Sequence, residues 1–335
     1  MTNADEPFGV GLIGCSPTSR FVCERLSLRS DLRLVATWSE QREGSAPPSA
    51  LAGIEPPRCR RHTSAADAIN DPHVRVLHFA AGSPFESMRM AMEAAKSIVV
   101  EAPFVLTVGE LERLALEARS RGQVAAIFEP RRWEADFLQA RTALECGRLG
   151  RLLRLRYAVH EQRLPDETYP LGVARELGGH ALDQMLQLIE PHALVAPGTN
   201  VPSVWRHFPS ARDHSEGFVA SFEFVEDVSA IIEIQTRSLL GFRSGWMLEG
   251  TDGAYRNGRL YTRTADGEIV DEPLLLPPVS NDPFFDVLSS ALRGVTAELP
   301  TVRDAVRVAA LLRDMPDSSP LAPAGTAVSV VRGEG

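Results

Sequence analysis

The sequence predicts an α/β chain in two parts: a doubly wound parallel sheet over residues 1–130, then an α+β unit over 131–335 built on a large, mostly antiparallel open sheet. Three observations carry this expectation. Up to Phe128, short apolar runs alternate with helical segments, the signature of parallel βαβ units. Between Ser203 and Val270, strand-like runs follow one another without long helices, the signature of an antiparallel sheet. A chain of 335 residues, 44% of them hydrophobic, is also long enough to favour two cores over one.

The elements follow in order. Residues 9–14 are an apolar run closed by glycine, and 17–27 read as a helix, so the chain opens as strand, turn and helix. Residues 32–37 form a second apolar run, and 45–57, rich in Pro, Ala, Ser and Gly, read as a loop. Helices over 65–69, 85–95 and 108–120 then alternate with strands over 74–80, 98–100 and 124–128. After Glu129-Pro130 the pattern changes to a helix over 135–146, a Gly147-Arg-Leu-Gly150 turn, a long strand over 152–161 and a helix over 180–189. Strands are expected over 204–207, 218–224, 229–236, 245–248 and 259–263, and two helices, 284–293 and 302–312, close the pattern.

Composition removes several function classes. A net charge of -9 argues against a nucleic-acid partner, which calls for a basic face. No apolar run approaches the ~20 residues that span a bilayer, and residues 1–7 lack a signal peptide's basic region and apolar core, so a soluble, cytoplasmic protein without a membrane partner is expected. Cys15, Cys23, Cys59 and Cys146 show neither CxxC spacing nor the density of a disulfide framework. His160, His192, His207 and His214 are scattered without paired carboxylates, and no metal site is expected. Of the 35 basic residues a single one, Lys96, is lysine.

A parallel α/β sheet binds its ligand at the carboxyl ends of the strands, and a dinucleotide pyrophosphate sits where the first strand turns into the first helix. The fingerprint there is G-x-G-x-x-G/A. This chain reads Gly14-Cys15-Ser16-Pro17-Thr18-Ser19, which keeps the first glycine and puts serine at the second and third positions. An ordinary helix start with Pro17 in its first turn is the alternative reading. Past the second strand, Trp38-Ser39-Glu40-Gln41-Arg42 offers Glu40 to a free ribose 2'-hydroxyl, or Ser39 and Arg42 to a 2'-phosphate, and leaves NAD and NADP both open.

Further along come Val74-Arg-Val-Leu-His-Phe-Ala80 before a helix, Ala94-Ala-Lys96-Ser-Ile-Val-Val-Glu101-Ala-Pro103, Thr107-Val-Gly-Glu-Leu, Gly147-Arg-Leu-Gly150, Gly178-Gly179 with Asp183 on a helix, and Gly250-Thr-Asp-Gly253. In order and spacing these resemble the Gfo/Idh/MocA family of glucose-fructose oxidoreductases and inositol dehydrogenases, from about Gly9 to Leu312. The resemblance implies a Rossmann-type first domain and NAD or NADP as cofactor. It implies cofactor contacts at Gly14, Ser16, Thr18, Ser19, Ser39, Glu40, Arg42, Ala81, Glu101 and Pro103. It places Arg132, Trp133 and Gln187 near the substrate, and implies a homo-oligomer formed through the C-terminal sheet.

Two residues of the family's chemistry are replaced. Its Glu-Lys-Pro reads Glu101-Ala102-Pro103 here, and the histidine four residues after its helix aspartate is Gln187, four after Asp183. A positioned base contributes about 10² to 10⁴ in rate, roughly 3 to 5 kcal/mol. His180, three residues before Asp183 on the same helix face, is the candidate substitute base, a capping or packing histidine at the helix start being the alternative, and His180 and Asp183 are the catalytic candidates. Binding would rest on arginines such as Arg131, Arg132, Arg154, Arg156 and Arg175. Two functions follow: an oxidoreductase acting on a sugar, cyclitol or similar polar small molecule through an altered proton relay, or a catalytically silent ligand-binding or partner subunit on the same fold.

Overall fold

The computed structural model describes residues 6–40, 59–102, 106–160, 176–189, 203–209, 215–224, 227–236, 238, 243–276, 279–295 and 298–313. Arg42, Pro103, Arg175, His192 and His214 and the expected loop over 45–57 lie outside them.

The first sheet contains β1 (Phe8–Ile13), β2 (Leu32–Trp38), β3 (Arg60–Arg61), β4 (Val76–Phe79), β5 (Ser97–Glu101) and β6 (Ala125–Phe128). Their order is β3-β2-β1-β4-β5-β6, every pair parallel. The connecting helices are α1 (Ser19–Ser27), α2 (Ala65–Asn70), α3 (Phe85–Glu93) and α4 (Val108–Arg121). The interior strands are almost continuously apolar because both faces are covered, which is why they stand out in the sequence. In β1 the glycines serve packing: a Cβ on Gly9 would lie 1.9 Å from the His73 carbonyl oxygen. Strand order reverses between β1 and β4, so the carboxyl ends of these two strands form the switch point where such sheets take ligands.

From β6 the chain passes through a 3₁₀ turn, Pro130–Trp133, into α5 (Ala135–Glu145), β7 (Leu152–His160) and α6 (Gly178–Ile189). The second sheet adds β8 (Ser203–Pro209), β9 (Ser215–Glu223), β10 (Ser229–Gln235), β11 (Arg243–Gly250), β12 (Gly253–Arg256), β13 (Arg259–Arg263) and β14 (Ile269–Pro273). Its order is β14-β13-β12-β11-β7-β10-β9-β8, antiparallel except for the β7–β10 pair. One face packs Leu155, Tyr157, Ile232, Trp246 and Leu248 against Phe137 of α5 and Leu182 and Met185 of α6. Arg154 and Arg156 alternate with that core on β7 and pair with Glu249 and Glu233 on the outer face.

The last helices return to the first sheet. Phe284, Phe285 and Leu288 of α7 (Pro283–Leu292) share a core with Leu12, Val22, Val76 and Phe128. Burial of each phenylalanine is worth about 1.5–3 kcal/mol. In α8 (Val302–Arg313), Val302 and Ala305 join the first sheet's core, while Val308 and Leu312 join the second's. Just before it, Ile127 N–H donates to the Pro300 carbonyl (2.9 Å) and Thr301 bridges Ala126. The terminal helices therefore tie both sheets together at β6, beside the candidate site. Among the described residues no helix is long and apolar enough to cross a membrane.

Candidate functional site

The site assembles along the carboxyl edge of the parallel sheet. Register sets Phe79 beside Val100 and Glu101 beside Phe128, so β4, β5 and β6 end at one level and hand over to Ala81, Glu101 and Glu129. Gly14 begins the turn after β1 with φ of +87°, a left-handed conformation that favours glycine. A Cβ there would lie 3.0 Å from the Ala80 side chain, and the Gly14 N–H is donated to the Trp38 carbonyl at 2.8 Å. That bond brings the end of β2, with half-buried Ser39 and exposed Glu40, to the same edge.

The turn itself departs from the three-glycine form in a specific way. The Ser16 N–H donates to Ser19 Oγ at 2.9 Å, and the two hydroxyls lie 3.2 Å apart, so the serine pair closes the turn on itself. Residue 17 is proline and has no N–H. Thr18, the N-cap of α1, makes no side-chain cap, and the first turn of α1 holds no acidic residue, so its positive dipole end faces an anion without a competing carboxylate, although the Ser19 N–H is already donated to the Ser16 carbonyl at 3.1 Å. A dinucleotide phosphate therefore fits this turn by its left-handed glycine and open helix end, with fewer backbone donors than three glycines would give.

Glu101 stands behind the turn and is buried. His78 Nε2 lies 2.8 Å from one carboxylate oxygen, and the Ala81 N–H donates to the other at 3.1 Å. Burial pushes this carboxyl up, but the His78, Ser16 and Ala81 hydrogen bonds outweigh it and hold it below the usual carboxylate range. Two expected cofactor contacts, Ala81 and Glu101, thus bond each other and join the β1 and β4 turns. Beside them, burial and the Glu101 charge push the Cys15 thiol up, away from thiolate chemistry.

The second cluster joins β6, the 3₁₀ turn and α6. His180 Nδ1 meets Glu129 Oε2 at 2.5 Å, and the Glu129 side chain is 3% exposed. Arg132 grips Asp183 with Nε to Oδ2 at 2.7 Å and a terminal guanidinium nitrogen to Oδ1 at 2.6 Å, with Asp304 of α8 at 3.3 Å. Burial, then the Glu129 and Asp304 carboxylates, push Asp183 up to about 6 against the opposing pull of Arg132. Burial raises Glu129 too, but His180 and the two arginines Arg131 and Arg132 hold it below its ordinary value. Gln184 donates to the Arg131 carbonyl (2.6 Å) and accepts from the Trp246 indole (2.9 Å), locking the turn to α6 and β11.

The two catalytic candidates are thus adjacent on α6 but have different partners: His180 takes Glu129 and Asp183 takes Arg132. Arg132 spends its fork on Asp183, and Trp133 packs edge-on against Phe284, 6.2 Å between ring centres. Gln187 is half-buried one turn beyond Asp183 on the same helix face. Sequence reasoning missed Glu129, Asp304 and His78. For Glu129 a signal existed, since it ends a buried parallel strand at the sheet edge where ligands bind.

With this geometry in place, residues 8–128 match the family described as "oxidoreductase family, NAD-binding Rossmann fold", GFO_IDH_MocA. Over that first-domain stretch the chain is similar to the Gfo/Idh/MocA family. Among named relatives, the uncharacterized oxidoreductase YhhX of Escherichia coli is 33% identical over 129 residues, 36% of this chain and 37% of YhhX. The scyllo-inositol 2-dehydrogenase (NADP(+)) IolW of Bacillus subtilis is 28% identical over 140 residues, 39% of each chain. The chain therefore spans well under half the length of these two relatives. Likeness of fold extends much further: the YPO2259 structure from Yersinia pestis superposes with a TM-score of 0.78 at 20% identity, covering 93% of this chain and 95% of that one.

Proposed function

We propose that this protein is an NAD(P)-dependent oxidoreductase of Gfo/Idh/MocA type that interconverts an alcohol and a carbonyl on a sugar, cyclitol or similar polar small molecule. One observation carries the reading: the sheet's carboxyl edge gathers the Gly14 turn, the Glu101 hub and the Glu129–His180 pair in neighbouring strand ends. The family's NAD-binding description and the cyclitol dehydrogenase among its relatives support the cofactor and substrate class.

The amides at the start of α1 would hold the dinucleotide phosphate, with Ser39 and Glu40 at the adenosine end. The nicotinamide, when bound, supplies hydride transfer. His180 takes the hydroxyl proton in oxidation and returns it in reduction, the role left vacant by Ala102 and Gln187. The Arg132–Asp183 pair holds the 3₁₀ turn against α6 and so keeps Glu129 and His180 together. The same proposal includes a homo-oligomer through the outer face of the second sheet, where β7 and β10 present Arg156, Glu233 and His160 as a linked ion-pair row.

The ligand-binding, catalytically silent alternative draws on the serine pair that closes the turn and on the proline that removes a donor. Titration with NADH and NADPH, followed by nicotinamide fluorescence, separates the two. Micromolar binding of one, with turnover on a panel of sugars and cyclitols, is expected. No binding of either at millimolar concentration would overturn the oxidoreductase reading.

A further inference from the structure

We infer that Glu129 is a positioning residue that fixes the His180 imidazole with a proton on Nδ1 and so presents Nε2 as the nitrogen that exchanges a proton with the bound small molecule. This deepens the proposed function and rests on it.

The geometry is the first argument. Glu129 Oε2 meets His180 Nδ1 at 2.5 Å, and the imidazole has no second hydrogen bond to a described residue, so Nε2 is the nitrogen left to act. The carboxylate can only accept while ionised, which forces Nδ1 to be the donor. Arg131 and Arg132 on the adjoining turn favour that ionised form, and Asp183 of α6 and Asp304 of α8 are the acidic groups facing the same cluster.

Burial is the second argument. Among the described residues, Glu129 Oε1 is buried without a hydrogen-bond partner. A half-satisfied buried carboxylate costs stability, of order 1–3 kcal/mol or more for a charged group. Such a group is a poor structural choice and calls for another explanation. Asp183 cannot orient the ring instead, because both of its oxygens are held by Arg132. Glu129 is also well anchored, directly after Phe128, which pairs in register with Glu101.

The chemistry balances. Oxidation of a secondary alcohol to a carbonyl breaks a C–H bond, whose hydride a bound oxidised nicotinamide would accept, and an O–H bond, whose proton His180 Nε2 takes, as the C=O bond forms. The new positive charge on the ring then lies against Glu129 and is released later to solvent as a proton.

Long-range proton–nitrogen NMR of the His180 ring, assigned with His180→Asn and recorded on the full chain without cofactor or substrate, tests the orientation. The neutral ring is expected to carry its proton on Nδ1 in the wild type and to populate both tautomers in Glu129→Gln, whose amide offers a donor as well as an acceptor. A neutral ring protonated on Nε2, or an unchanged tautomer in Glu129→Gln, would overturn the inference. Kinetics on a substrate found in the panel give the second readout: kcat is expected to fall about 10- to 100-fold in Glu129→Gln, with KM changed by about twofold or less and partial recovery in Glu129→Asp. Loss of KM and folding stability at unchanged kcat would assign a merely structural role. If the wild type turns nothing over, the oxidoreductase reading fails while the NMR result still decides the orientation. If Glu129→Gln does not fold, Glu129→Asp, which shortens the reach to Nδ1, takes its place in the NMR comparison.

Discussion

The Arg132 guanidinium closes on the Asp183 carboxylate through two parallel hydrogen bonds, of 2.7 and 2.6 Å, with both side chains about nine-tenths buried. The pair joins the 3₁₀ turn after β6 to α6, and Asp304 extends it to α8. Three segments far apart in the chain therefore meet on one cation, beside the residues proposed to move a proton.

Breaking this pair from one side leaves a buried charge unpaired. Arg132→Leu is expected to lower unfolding free energy by about 3–5 kcal/mol, and the double variant Arg132→Leu, Asp183→Leu by less, since no stranded charge remains. Chemical denaturation midpoints of the three proteins check this. A double variant as unstable as the single one would show that the fork's geometry, not the stranded carboxylate, sets the cost.

Asp183 also makes a specific contribution to pH dependence. Burial and its carboxylate neighbours raise it from 3.8 to about 6, so between these values the folded protein binds a proton that the unfolded chain has released. Its contribution to stability is thus fully present below about pH 4 and lost as pH rises through about 6. Relative to Asp183→Asn, which cannot titrate, the wild type is expected to gain stability as pH falls from 7 to 4. Paired denaturation curves across that range measure the difference, and a constant difference would contradict the assignment.

Gly14 carries the turn in a conformation that costs an L side chain roughly 1–2 kcal/mol, and an added Cβ would press on Ala80 at 3.0 Å. Gly14→Ala is expected to lose about that much stability and to weaken nicotinamide dinucleotide binding more than tenfold, because the turn and the open start of α1 move together. Fluorescence titration alongside thermal unfolding separates the effects. Unchanged affinity in a destabilised variant would remove the turn from the cofactor site.

Much of the fold was legible because its signals are local. The runs at Val76–Phe79 and Ala125–Phe128 are buried on both faces and therefore apolar at every position. The helix over Val108–Arg121 announces itself by a Thr107–Glu110 capping box and ends at Gly122 in the left-handed region. Strands without such a signal went unread. β14, Ile269–Pro273, is exposed at every position on the sheet's edge, and β12 is four residues long with one buried side chain. β3 is two arginines.

The candidate site was legible in membership and not in pairing. His180, Asp183, Arg132 and Glu101 were singled out individually, yet helix spacing made His180 and Asp183 a unit. The structure gives each a partner 51 residues away instead, Glu129 and Arg132 respectively. By itself the sequence determined the alternation of strands and helices, the glycine that opens the first turn and the alanine and glutamine at positions 102 and 187, because hydrophobic period, glycine and residue identity are properties of neighbouring positions. Only the tertiary structure decided which carboxylate faces which cation, that Glu101 looks inward to His78, and that α7 and α8 return to the first sheet. Those choices depend on which groups share a buried volume, where an unpaired charge is expensive, and no periodicity along the chain encodes that.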